Sequence, residues 1–172
     1  MNIYARHRRS VKEKNDLEDK IMAKKIAVAC DHAALDMKAE VLKYLEDNGF
    51  EYYDFGTYTK DSCNYPDYAE KVCTAVHNKE YDLGILICGT GIGMSMAANK
   101  CKGIRAALCS DTFSAKFTRL HNDANVLCMG ARTLGAGLAL EIVDVFVNTG
   151  FEGGRHQTRV DMIMALEDKL AK

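Results

Sequence analysis

The sequence predicts an α/β protein, a three-layer α/β/α sandwich around an open parallel sheet of five strands. Two features carry this. Short apolar runs alternate with stretches of helical periodicity along the chain. The runs are apolar throughout, not at every second residue, the pattern of strands covered on both faces. At 172 residues the chain is about one domain long, enough to bury roughly 70% of the surface its unfolded form exposes.

Taken in order, residues 1–22 ("MNIYARHRRSVKEKNDLEDKIM") differ from the rest, with six basic and four acidic residues and a methionine at the end. They read as an extension to a domain spanning 23–172, with Val11, Leu17 and Ile21 on one helical stripe. Arg6, Arg8 and Arg9 hint at a transit peptide, but the acidic residues that follow argue against one. Strands are expected at "KIAVAC" (25–30), "EYYDFG" (51–56), "LGILIC" (83–88), "IRAALC" (104–109) and "NVLCMG" (125–130). Helices are expected near 33–48, 66–79, 92–101, 112–121, 136–148 and 158–171.

Lys+Arg 23 against Asp+Glu 24 leaves a net charge of −1, so no overall basic field exists to hold nucleic acid and anion recognition must be local. No apolar stretch approaches the roughly 20 residues that span a bilayer. The seven cysteines include no C-x-x-C pair, which suggests reduced thiols and a cytoplasmic location.

Ligands of parallel sheets bind beyond the carboxyl ends of the strands. Those ends present Cys30-Asp31-His32, Gly56-Thr57, Cys88-Gly89-Thr90, Ser110-Asp111 and Gly130-Ala131-Arg132. "CGTGIG" (88–93) invites two readings. As a dinucleotide fingerprint it lacks the third glycine, because Met94 or Met96 falls there, although Asp111 lies at the distance of the ribose acceptor. As a thiol site, it sets Cys88 at the start of a helix, where a thiolate forms more readily and can act as base or nucleophile. The bland alternative for Cys88, and for the other six cysteines, is a buried small hydrophobe.

Asp31 is explained by helix capping alone, whereas His32 adds a titratable donor where ligands bind. His121 and Asn122 close a helix, and dipole and capping roles suffice for them unless another site group lies opposite. Arg155 and Arg159 are four apart after Gly153-Gly154, without an acidic neighbour between 153 and 160. With Arg132 they would suit one dianion, since guanidinium forks match phosphate oxygens. A sugar-phosphate enzyme, a nucleotide-binding module and a thiol redox sensor stay open, the last weakened by the absence of a resolving cysteine.

Read together, "ACDHAALDMK", "DFGT", "NYPDYA", "GILICGTGIGMSMAANK", "GIRAALC", "RLHNDANVLCMGAR" and "EGGRHQTRV" occur in an order that resembles the type B ribose-5-phosphate isomerases. Their wider family includes galactose-6-phosphate and allose-6-phosphate isomerases. The likeness runs from about residue 24 to the C-terminus. It implies a Rossmann-like sheet whose C-terminal helix docks on a partner subunit, and an aldose-ketose isomerisation through a cis-enediolate without metal or organic cofactor.

It also implies roles. Cys88 would move the proton between C2 and C1, with the backbone N–H groups of Gly89, Gly91, Ile92 and Gly93 around the oxyanion and Thr90 orienting. His121 would open the furanose, Asn122 would bond the reacting oxygens, and Asp31 would contact the sugar and share the ring-opening proton traffic. Tyr65 would flank the site. His32, Arg132, Arg155 and Arg159 would hold phosphate, some of them from a neighbouring subunit. Galactose-6-phosphate isomerases divide base and histidine between different subunits; this chain carries both, which implies a homodimer or a tetramer built of dimers. An apolar stripe of Val160, Ile163, Met164 and Leu170 would suit that docking. Leu35 departs from a position often aromatic in the family, and Cys88 argues against the variant with a glutamate base. A six-carbon sugar phosphate is the alternative substrate.

Overall fold

The computed structural model describes residues 24–170; the expected extension at 1–22 lies outside them. Five strands, β1 (Lys25–Cys30), β2 (Glu51–Asp54), β3 (Leu83–Cys88), β4 (Ala106–Leu108) and β5 (Val126–Gly130), form one sheet. Six helices accompany them: α1 (Leu35–Asp47), α2 (Tyr65–His77), α3 (Ile92–Ala98), α4 (Thr112–Asn122), α5 (Ala136–Asn148) and α6 (Arg155–Leu170). All pairings are parallel, in the order β2-β1-β3-β5-β4.

The uninterrupted apolarity of the runs has its expected cause. Ile26, Val28, Cys30, Ile85 and Ile87 point to a core shared with α1, α4 and α5, while Ala27, Ala29, Leu86 and Cys88 point to a second core under α2 and α3. The apolar residues of the central strands therefore meet a helix on one face or the other.

The chain turns outward from β1 to β2, then back to β3 on the other side. That places a topological switch point between the carboxyl ends of β1 and β3. Cys30 is in register with Ile87, and Cys88 with Gly130, so the ends of three central strands lie side by side.

Some boundaries move. The two edge strands are shorter than their runs, four residues for β2 and three for β4, because each has only one neighbour to pair with. Leu35, not residue 33, opens α1. α6 starts at Arg155, three residues before the expected 158, since Gly153 and Gly154 take φ of +69° and +57° and their carbonyls accept from the His156 and Gln157 amides. On α6, Val160 is buried and Met164 receives Arg105 Nη1, whereas Met162, Ile163 and Leu166 are exposed. The expected stripe thus splits between the chain's own surface and an outward one; the Leu170 side chain lies outside the described residues. No helix among the described residues is long and apolar enough to cross a membrane.

Candidate active site

The carboxyl edge gathers Asp31 and His32 after β1, the turn after β3, Arg132 after β5 and Tyr65 at the start of α2. Cys88 is buried, and the Gly91 amide donates to its Sγ at 3.1 Å. The turn is tied to β5, since Cys88 O accepts from Ala131 N at 2.8 Å and Gly89 O from Arg132 N at 2.9 Å. Only glycine fits position 91: φ is +76°, and a Cβ would stand 2.8 Å from the Met129 carbonyl carbon and 2.5 Å from Leu108 Cδ1. The Tyr65 ring covers Gly93, and the Arg132 guanidinium lies over Gly89, within 3.6 Å of where a Cβ would stand.

Two donors of the turn have partners within the chain. Gly91 N–H serves the thiol, and Ile92 N–H donates to Thr90 Oγ1 at 3.4 Å. The Gly91 N–H thus presents a preset backbone dipole to the Cys88 sulfur.

Asp31 does not cap α1, whose N-cap is Ala34 without a side-chain bond. Its Oδ1 accepts from Ala33 N at 2.9 Å, which leaves Oδ2 for a ligand. His32 Nδ1 lies 3.4 Å from the donating Cys63 amide and 3.8 Å from Cys63 Sγ. Accepting at Nδ1 puts the ring proton on Nε2, where it can be donated to an anion. Beneath these groups Lys38 Nζ binds both Asp54 carboxylate oxygens, at 2.7 and 2.8 Å, and Thr57 O at 2.7 Å. Gly56 and Thr57 are in turn bonded to Cys30, so the β2 exit is fastened to the end of β1. Cys30 is inert by environment, its thiol pushed up to about 12 by burial. Cys63 and Cys101 are only partly buried; Cys101 still packs against the core under α2 and α3, whereas Cys63 lies beside His32.

Asp111, the candidate ribose acceptor, caps α4 instead, its carboxylate accepting from Ser114 N at 2.7 Å and Ser114 Oγ at 2.8 Å.

The remaining candidates lie at the opposite edge. α4 follows β4 and runs back against the strand direction, so its last residues, His121 and Asn122, reach the amino edge of the sheet roughly 16 Å away, at 1.5 Å per residue. α6 crosses that same edge and brings Arg155 and Arg159. Among the described residues neither they nor Arg132 has a carboxylate partner. Asn122 keeps its side chain exposed while its carbonyl accepts from Arg105 Nε. Within one chain, therefore, Cys88 and His121 do not meet, nor do the three arginines converge.

His121 has a built surrounding that the sequence reading missed. Its ring stacks on His156 with centroids 4.0 Å apart and planes 5° from parallel, and Phe117 meets it edge-on at 4.9 Å. Glu152 Oε2 lies 3.5 Å from His121 Nε2 and 3.8 Å from His156 Nε2. His121, Glu152 and His156 offer ligand atoms within 4.8 Å of one another. They do not fit one metal ion, because an ion about 2.1 Å from an imidazole nitrogen lies in the ring plane, and two stacked planes share no such point.

A thiol held by a backbone donor at a switch point, with an unpaired arginine alongside and a histidine on the same edge of the sheet, defines an α/β enzyme acting on a small anionic substrate. The sequence profile of the ribose/galactose isomerases matches residues 26–163. Ribose-5-phosphate isomerase B of Escherichia coli K12 is 49% identical over 146 residues, which are 85% of this chain and 98% of that protein. A ribose-5-P isomerase B of Listeria innocua is 43% identical over 145 residues, 84% of this chain and 98% of its own. The structure of Clostridium thermocellum ribose-5-phosphate isomerase B superposes with a TM-score of 0.84 at 48% identity, covering 85% of this chain and 99% of that one. Mycoplasma genitalium ribose-5-phosphate isomerase B, solved with ribulose-5-phosphate bound, gives 0.81 at 43% identity, covering 84% and 97%. The chain belongs to the ribose/galactose isomerase family. The resemblance read from its separated motifs, and the parallel fold it implies, are borne out.

Proposed function

We propose that this chain interconverts D-ribose 5-phosphate and D-ribulose 5-phosphate, as a cytoplasmic homodimer with Cys88 as the base. The observation that carries the reading is Cys88 Sγ receiving the Gly91 N–H at the switch point, with Arg132 alongside. The relatives named ribose-5-phosphate isomerase B support the substrate, and one of them holds ribulose-5-phosphate.

The chemistry then follows from the groups present. His121 gives a proton to the furanose ring oxygen as the C1–O bond breaks and the C1 hydroxyl passes its proton to the Asp31 carboxylate, which leaves an open-chain aldehyde. The Cys88 thiolate removes the C2 proton; the electron pair forms the C1–C2 double bond and negative charge moves to O1. The thiol returns its proton to C1, and the O2 proton passes to O1, so the product is an isomer with no net gain or loss. His32, Arg132, Arg155 and Arg159 hold the phosphate by charge-assisted bonds, while Asp31 Oδ2 and Asn122 face sugar hydroxyls.

Two copies reconcile this chemistry with the separation of Cys88 from His121. Each site takes Cys88, Asp31, His32 and Arg132 from one copy and His121, Asn122, Arg155 and Arg159 from the other. The outward Met162, Ile163 and Leu166 of α6 suit such packing. All seven cysteines are unpaired, as a reducing compartment requires.

A coupled assay across ribose, allose and galactose phosphates tests the reading. Turnover should be highest on ribose 5-phosphate and vanish in Cys88→Ala with the fold retained. Preference for allose 6-phosphate would move the assignment to a six-carbon sugar, and near-normal turnover by Cys88→Ala would remove the base.

A further inference from the structure

We propose that His156 is a positioning residue for His121: its buried ring fixes the plane in which His121 presents its proton, and does so only while His156 is neutral. This rests on the ring-opening role given to His121 above.

The geometry is specific. His156 is only 5% exposed, yet it belongs to an exposed first turn of α6, between Arg155 and Gln157. The Gly153-Gly154 turn points it inward, beneath the half-exposed His121. A second tie holds the pair together, because the Glu152 amide donates to Leu120 O at 3.0 Å, fastening the loop before α6 to the last turn of α4. His121 is thus held by a ring face below, the Phe117 edge beside it and a carboxylate at Nε2.

The charge state of His156 follows from its neighbours. Arg155 Nε donates to His156 Nε2 at 3.4 Å, which requires a lone pair there and places the ring proton on Nδ1. Burial, then His121, then Arg155 push its proton affinity below the usual histidine value, with Arg159 adding a little, and Glu152 alone opposes them. A proton at Nε2 would expel Arg155 and set a cation against the face of His121. The stack then parts, and Glu152 is drawn to His156. With His156 neutral, Glu152 is left to His121, the member of the pair that reaches solvent and substrate.

Three variants test this, with kcat and KM on ribose 5-phosphate measured from pH 5 to 8 (roughly the range over which histidine changes charge). His156→Ala removes the stacking face, and kcat should fall roughly ten- to a hundredfold while KM stays within about twofold, since a misplaced group is lost mainly from the reaction step. His156→Phe restores a flat neutral partner and should recover most of kcat near pH 8. His156→Phe should also lack the titration: the ratio of unsubstituted to His156→Phe kcat is constant above the ordinary histidine value of 6.5 and falls below it. Glu152→Gln should lower kcat without this change in the ratio. Equal loss in the Ala and Phe variants, unchanged kcat in His156→Ala, or a ratio flat across the whole range would overturn the proposal while leaving the isomerase intact. An unsubstituted protein that does not turn over ribose 5-phosphate would sink both readings.

Discussion

Cys88 and His121 stand at opposite edges of the same sheet, one ending a strand, the other ending the helix that runs back alongside it. A site that needs both must draw them from two copies, and two defective chains can then repair each other. Cys88→Ala and His121→Ala homodimers should each be inactive. In an equimolar mixture refolded together, half the dimers are mixed, and each mixed dimer regains one intact site of two. Recovered activity should be about a quarter of the unsubstituted level. A mixture as inactive as its components would mean that each chain works alone.

The turn at Cys88 makes a sharper demand on Gly91 than on Gly93. A Cβ at Gly91 meets backbone, the Met129 carbonyl carbon at 2.8 Å, in a left-handed conformation. A Cβ at Gly93 meets the far end of the partly exposed Tyr65 ring, also at 2.8 Å, and that ring can swing away. Gly91→Ala should therefore cost upwards of about 2 kcal/mol and remove activity, since the left-handed region alone costs an alanine roughly 1–2 kcal/mol. Gly93→Ala should melt close to the parent and raise KM a few fold by displacing Tyr65. Thermal melts with steady-state kinetics separate the two; the reverse ranking would count against this account of the turn.

What was legible in the sequence, and what was not, divides along range. Strands, helices and the place of Cys88 follow from runs of neighbouring residues: an apolar run ending in a thiol, then glycines, is visible within a dozen positions. The His32–Cys63 contact spans 31 residues and has no local sign. His156 was hidden for another reason. It sits beside Arg155 in a polar stretch, where the arginines draw the attention, and it turns inward only because two glycines take positive φ just before it. The edge on which His121 stands depends on the direction of α4 relative to the strands, a property of topology that a list of motifs leaves out. Asp111 misled in the opposite sense, since its distance from the glycine turn suited a ribose ligand while its side chain was committed to a cap.

Lys38 and Asp54 make the strongest single demand on stability near the site. Their side chains are 5% and 20% exposed, and Lys38 also satisfies Thr57 O. Removing the ammonium strands a carboxylate and a carbonyl together, and breaking a buried pair costs roughly 3 kcal/mol at the lower end of the usual range. Lys38→Met should lower Tm by about 10 °C, taking 2–4 °C per kcal/mol for a chain of this size. Adding Asp54→Asn, which keeps an acceptor for the Gly56 amide, should recover part of the loss because the stranded charge is gone. If the double variant is less stable than Lys38→Met by the full cost of Asp54→Asn alone, the two residues do not act as a pair.

Asp111 links the stability of α4, and so the seat of His121, to pH. Its carboxyl is held below the ordinary 3.8, first by the Ser114 amide and then by the Ser114 hydroxyl, both of which donate to the ionised form. A value depressed in the folded chain means that the unfolded chain takes up the proton first as pH falls. The stabilisation is therefore complete above 3.8 and drains away as pH drops from there through the folded value. Asp111→Ala should lower the urea midpoint at pH 7, and the gap to the parent should narrow steadily once the buffer is taken below pH 3.8. Asp111→Asn, which caps without charge, should fall between the two at pH 7 and show little of the narrowing. A gap that stays constant on acidification would separate the cap from the charge and leave the shape of the side chain as its only contribution.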